Sequence, residues 1–234
     1  PMLSVLLIVL PIFALIGAGW IARRSGVLGP HATGEINRFV VWLALPALFV
    51  AQQVGLPGWV YLLGFVVLLL VNWNSLREQV PLYLTGRRAQ QQLQLFLSEC
   101  EPPLRFVDLG CGTAGTLLTL ARRFPRGQFV GVETAPLVFL CAWLRCLLQD
   151  NCQIRYVSLW QVDLAAFDVV YCFLSPVPMP RLWAKAQAEM APGTWLVSLE
   201  FAVPGALPQA QLLLPGERVV WVYRMPMAGM AQGR

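Results

Sequence analysis

The stretch RFVDLGCGTAGTLLTLARRF, residues 105–124, decides how this 234-residue chain is read. Its first five residues alternate like a strand, and its last nine carry leucines at helical spacing. Between them GCGTAG satisfies G-x-G-x-x-G. Gly110 and Gly112 let the backbone bend sharply and approach a ligand, and Gly115 opens the helix. Alone, the pattern is weak, because many glycine turns bind nothing. Asp108, two positions before the first glycine, sharpens it. A dinucleotide would rest its pyrophosphate on this turn. Like charges 4 Å apart cost about 4 kcal/mol even at an effective dielectric near 20. The carboxylate therefore favours a cofactor with a positive end, such as the sulfonium and ammonium of S-adenosylmethionine, over a diphosphate.

Working outward, QFVGVE (128–133) is a second strand that ends in an acid, Glu133, placed to accept ribose hydroxyls. The alternation continues. Helices are expected over 87–100, 115–124, 136–149 and 179–190. Strands are expected over 105–109, 128–133, 153–158, 168–174, 194–200 and 218–224. The pattern predicts an α/β fold, a Rossmann-like parallel sheet covered by helices on both faces, with the ligand at the carboxyl ends of its strands.

VDLGCGTAG and VGVE resemble the glycine motif and the following acid of class I S-adenosylmethionine-dependent methyltransferases. The resemblance spans roughly residues 80–224. It implies a cofactor site built from Asp108, Gly110, Cys111, Gly112, Thr113, Gly115, Glu133, Thr134, Ser158 and Leu159. The family often has a third glycine where Thr113 or Ala114 stands here, which implies a tighter or shifted loop. VPLYLTGRRAQQQLQLFL and the segment from SLWQVDLAAF to VSLEFAVPG resemble, more narrowly, the membrane-anchored lysine methyltransferases of the ATP synthase c subunit and the adenine nucleotide translocase. Those enzymes commonly carry an acid before the LW pair. Ser158 stands in that place, leaving Asp163 either to compensate near the adenine or to be a solvated loop acid.

On the acceptor side the residues leave more open. FLSPVPM (173–179) follows the fourth strand, where Ser175 and Pro176 either shape a substrate pocket or form a plain turn. Glu200 either orients an incoming amine or makes a rim salt bridge. Trp160, Trp183 and Trp195 either form an aromatic wall or pack in the core. No general base stands out. His31 is the only histidine, so neither a histidine metal site nor a Ser-His triad can be assembled in the second half of the chain. Six cysteines without a CxxC pair read as reduced structural thiols. The net charge of +5 comes without a basic stripe, which argues against nucleic acid as a partner.

The first third of the chain is a different material. From Pro1 to Asn74 the only charged residues are Arg23, Arg24, Glu35 and Arg38, and the whole chain is 57% hydrophobic with a mean hydropathy of +0.62. Apolar runs at 2–22, 39–54 and 56–73 predict about three membrane spans. A cleaved signal peptide competes for the first run, and an interfacial hairpin for the other two. Arginines after the first and third runs place the remainder in the cytoplasm. Residues 1–52 also resemble the opening helices of auxin-efflux-carrier transporters. With the rest of that fold missing, the resemblance implies an anchor and not transport.

The expected organisation is a membrane anchor (1–74), a connecting helix (75–104) and a cofactor-binding domain (105–234). The expected activity is methyl transfer to a lysine of a membrane protein. A methyltransferase for a lipid or quinone-like small molecule is the rival enzyme reading. A membrane module or transporter fragment without catalysis is the other rival.

Overall fold

A computed structural model describes residues 57–71, 73, 83–101, 103–214 and 218–226. The expected spans at 2–22 and 39–54 lie outside these residues. The third becomes helix α1, Gly58–Val71. Its 14 residues are entirely uncharged, and Trp59, Leu62, Leu63 and Phe65 are exposed. At 1.5 Å per residue it is about 21 Å long, short of the ~30 Å hydrocarbon layer. No helix among the described residues is long and apolar enough to cross a membrane.

Residues from Leu63 onward form one unit built on a seven-stranded sheet. In chain order its elements are α2 (Arg87–Ser98), β1 (Arg105–Leu109), α3 (Gly115–Arg123), β2 (Gln128–Glu133), α4 (Pro136–Cys146), β3 (Cys152–Tyr156), β4 (Val169–Cys172), α5 (Met179–Glu189), β5 (Trp195–Leu199), β6 (Ala210–Leu213) and β7 (Val219–Arg224). Across the sheet the order is β3-β2-β1-β4-β5-β7-β6. The reversal on either side of β1 and β4 makes the switch point where an open α/β sheet places its ligand.

The strands are rich in Val, Leu and aromatic residues, and β1 and β4 are buried along nearly their whole length, as central strands covered on both faces must be. Phe106, Phe129, Ile154, Tyr171 and Val197 face one layer, shared with α2, α3 and α4. Val107, Val130, Val132, Val170 and Leu196 face the other, covered by α5 and two short 3-10 turns at Leu159–Gln161 and Leu164–Ala166.

Two expectations need correction. The sheet is mixed: β5 pairs antiparallel with β7, and β7 antiparallel with β6. Strand β6 was not expected at all. It is an edge strand with three of its four residues exposed, so it shows no alternation of buried and polar positions to read. The connecting helix is also shorter than 75–104. Among the described residues it starts at Arg87, because Tyr83–Gly86 are not helical and Gly86 is extended (φ −70°, ψ 159°). It ends at Ser98, before the prolines, where the Glu99 and Cys100 amides turn back to Phe96 and Leu97.

Candidate cofactor site

The glycine turn is bolted to the end of β2 by backbone alone. The amides of Gly110 and Cys111 both donate to the Val132 carbonyl, each at 3.0 Å. Gly110 (φ +83°) and Gly112 (φ +55°) occupy the left-handed region that glycine enters without strain. Ala114, at the N-cap of α3, is left-handed too (φ +59°). Alanine bears the strain of a conformation that glycine adopts freely.

Close packing beneath the turn depends on another glycine. Gly131 pairs with Asp108 in the sheet, and a Cβ there would lie 2.4 Å from Leu117 Cδ1 and 2.7 Å from Cys111 Sγ. The bare backbone of β2 is what lets α3 and the turn seat on the sheet.

Glu133 turns back on the loop it follows. Oε2 accepts from the Gly112 amide (3.1 Å), and Oε1 from the amides of Thr134 (2.8 Å) and Ala135 (2.9 Å). Three backbone N–H groups thus hold one buried carboxylate at the mouth of the turn.

Asp108 is the opposite case. It is 3% exposed, and among the described residues no hydrogen bond or ion pair reaches its carboxyl group. Burial, and next the charge of Glu133, push its pKa up to about 8. The sequence alone suggests a standing negative charge; in the folded chain burial favours the neutral acid. Asp108 lines a cavity of about 230 Å³ together with Tyr83, Thr85, Gly110, Thr113 and Phe173. An acid buried at the wall of a cavity with nothing to bond to is suited to an incoming ammonium. Whole-ligand pockets run to roughly 300–1,000 Å³, so this space is large enough for only part of a nucleoside-sized cofactor.

Of the other expected cofactor residues, Cys111 and Gly115 line that cavity as well, whereas Gly112, Glu133, Thr134, Ser158 and Leu159 do not. Glu133 ends β2, with Thr134 after it, opposite Tyr156 at the end of β3. The Ser158 hydroxyl accepts from the Trp160 amide (3.4 Å) and caps a 3-10 turn, while Leu159 is buried. Asp163 does not compensate for the missing acid. It is exposed, and its carboxylate caps the next turn through the Ala165 amide (3.0 Å).

The tryptophans do not converge. Trp160 lies under the Arg181 guanidinium (3.9 Å), Trp183 packs on Tyr223 (5.4 Å), and Trp195 meets Phe96 (5.4 Å) and Arg224. The packing reading holds for all three. An aromatic cluster does border the cavity, from residues the sequence did not single out. Tyr83 stacks on Phe173 at 4.8 Å, and Phe201 tilts against both, at 6.0 and 6.5 Å. The segment carrying Tyr83 is held down by a hydrogen bond between the Thr85 and Tyr171 hydroxyls (2.9 Å) and by Gln90 Nε2 donating to the Thr85 carbonyl (3.2 Å). No periodicity marks YLTG as part of a site, and only the folded sheet brings it to the end of β4.

Ser175 is buried just past β4, and Pro176 beside it is exposed. Glu200, at the end of β5, is left-handed (φ +72°) and lies 3.6 Å from Arg218 at the rim. Its charge, after burial, also raises the Tyr83 hydroxyl pKa, which places it near the aromatic cluster.

Comparison with known proteins gives this geometry a family. The model of the ANTKMT methyltransferase domain matches residues 108–210. The adenine nucleotide translocase lysine N-methyltransferase of Mus musculus is 31% identical over 159 residues, 66% of this chain and 67% of the mouse protein. The chain belongs to this family of S-adenosylmethionine-dependent methyltransferases. Residues 108–210 run from the acid of β1 to the start of β6, so the match covers the glycine turn, Glu133 and the ends of β4 and β5. The secondary metabolism regulator laeA of Monascus pilosus is 29% identical over 99 residues, 41% of this chain, and the chain spans only about a quarter (26%) of that regulator's length. Among solved structures, an RNA methyltransferase from Salinibacter ruber superposes with a TM-score of 0.58 at 22% identity, covering 64% of this chain and 98% of the other. That likeness speaks for the fold.

Proposed function

We propose that this protein is a lysine methyltransferase, held at a membrane with its catalytic domain on the cytoplasmic side, acting on a membrane protein. The observations that carry the reading are the cavity walled by the unpartnered acid Asp108, suited to the cationic end of the cofactor, and the Tyr83, Phe173 and Phe201 rings at its border, suited to receive an amine. The mouse relative, by its name, is a lysine N-methyltransferase of adenine nucleotide translocase, and the uncharged run of α1 supports tethering.

Asp108, the bare backbone of the glycine turn and Glu133 would hold the cofactor. S-adenosylmethionine supplies an activated methyl group on a sulfonium. The remaining work falls to the chain. A lysine must reach the methyl group desolvated and without its proton. Aromatic faces suit this, because they attract the cation on arrival and then offer no hydrogen-bonding water. Glu200 at the rim draws the ammonium in. Ser175 and Pro176, just past β4, would shape the acceptor side.

The test is calorimetric titration of the full chain with S-adenosylmethionine, followed by transfer of labelled methyl to membrane extracts. Cofactor binding and methyl-lysine in membrane protein, read by mass spectrometry, are expected. Labelled methyl recovered in the organic phase would move the reading to a lipid or quinone-like acceptor. No cofactor binding would remove it.

A further inference from the structure

Helix α4 turns only one side toward the sheet. Val138, Ala142 and Cys146 are buried. On the outer side Leu140, Trp143, Leu144, Leu147 and Leu148 are 45%, 43%, 54%, 52% and 98% exposed. Their spacing (i, i+3, i+4, i+7, i+8) makes one continuous helical stripe that runs through the turn after the helix. Five large apolar side chains in a row, facing solvent, contribute nothing to the core and mark a contact surface.

The surroundings of the stripe say what the contact is. Arg122, Arg123, Arg126, Arg145 and Arg155 are all exposed nearby in the chain. Between Gly115 and Tyr156 the only acids are Asp150 and Glu133, and Glu133 is buried under the glycine turn. Trp143 and Leu147 also wall an open groove of about 540 Å³ that Arg155 borders. The pKa of the Cys146 thiol, at the end of the helix, is lowered chiefly by the hydrogen bond it accepts from Cys152, with Arg145 and Arg122 adding to the effect; both cations therefore sit near the C-terminal end of α4. A leucine and tryptophan face rimmed by arginines has the composition of a helix that lies in the headgroup layer of an anionic bilayer.

We propose that the outer face of α4 docks the catalytic domain on an anionic phospholipid surface, apolar side chains inserted and arginines on the headgroups. This rests on the membrane-held reading above and adds to it a second, orienting contact made by the domain itself. Arg145 donates to the Thr113 carbonyl (2.6 Å), so the docked face is tied directly to the cofactor turn. The arrangement would present the cavity to lysines that emerge just above the membrane.

The test uses the full chain in detergent, and on vesicles of phosphatidylcholine alone or mixed with phosphatidylglycerol. Amide hydrogen exchange over residues 138–150 should slow by about tenfold on the mixed vesicles relative to detergent, and less without the anionic lipid. The double substitution Leu144→Glu and Leu148→Glu should abolish that protection while leaving cofactor affinity unchanged. Sedimentation with vesicles but detergent-like exchange at α4 would overturn docking and leave the membrane-held reading standing. A chain that stays in the supernatant with both vesicles would overturn the two together. Protection that instead grows with protein concentration in the absence of lipid would assign the face to a second copy of the chain and overturn the proposal.

Discussion

The donor half and the acceptor half of the site are built in opposite ways. The donor half is one unbroken stretch, from β1 through the glycine turn and α3 to β2, and backbone groups do most of the holding. Gly110, Cys111 and Gly112 reach Val132 and Glu133 through their amides, and the side chains that matter are two acids. The acceptor half proposed above is gathered from three distant segments: Tyr83 before α2, Phe173 after β4, and Glu200–Phe201 after β5. A site made of local backbone geometry is robust to side-chain drift and recognisable as a motif. One assembled from side chains across the sheet is free to change with the substrate, and it leaves no short pattern.

The largest effect expected from this contrast is at Asp108. Asp108→Asn removes the one acid that lines the cavity among the described residues, and calorimetry should show cofactor affinity falling by about 100-fold or more. The same substitution should stabilise the empty protein. With its pKa raised to about 8, the native carboxyl keeps its proton while the unfolded chain releases it from near pH 4, the ordinary aspartate value. Wild-type stability therefore declines between about pH 4 and 8 and levels off above, whereas the variant lacks that decline. Melting curves should separate in favour of the variant as pH rises toward 8 and converge near pH 4. Cofactor affinity in the wild type should climb over the same window, with uptake of the cation releasing a proton below pH 8.

Next comes the packing beneath the turn. Gly131→Ala would force Leu117 and Cys111 apart and should cost about 2–4 kcal/mol, read as a lower urea midpoint. Changing the acceptor side should do less and do it selectively. Phe201 borders the cluster without lining the cavity, so Phe201→Ala should raise the KM for the methyl acceptor by about tenfold and leave the cofactor Kd within a factor of about two. If both constants moved together, the division into two halves would fail. The smallest effect is expected at Ala114, whose left-handed backbone (φ +59°) glycine adopts freely; Ala114→Gly should stabilise the fold by about 0.5–1 kcal/mol in chemical denaturation.

Much of the donor half could be read before any fold was known. Strands 105–109 and 128–133 end where they were expected, and α3 is one residue short, because glycines, an acid at a strand end and apolar spacing all act within a few residues of one another. Helix α4 was expected to run to 149 and stops at Cys146. Its continuation, Leu147 and Leu148, is as apolar as the helix itself, so composition offered no stop signal. Strand β7 starts one residue later than expected, whereas β6 was missed, because an exposed edge strand has no buried face to impose a period.

Local chemistry in the sequence therefore determined the strand–turn–helix–strand unit, the identity of its two acids and the preference for a cationic cofactor, since each depends on neighbours within hydrogen-bonding reach along the chain. Tertiary structure alone decided that Asp108 is buried without a partner, that Tyr83, Phe173 and Phe201 meet, and that α4 leaves an apolar stripe outside. Desolvation and ring stacking depend on which segments the sheet order brings together, and no stretch of residues carries that information by itself.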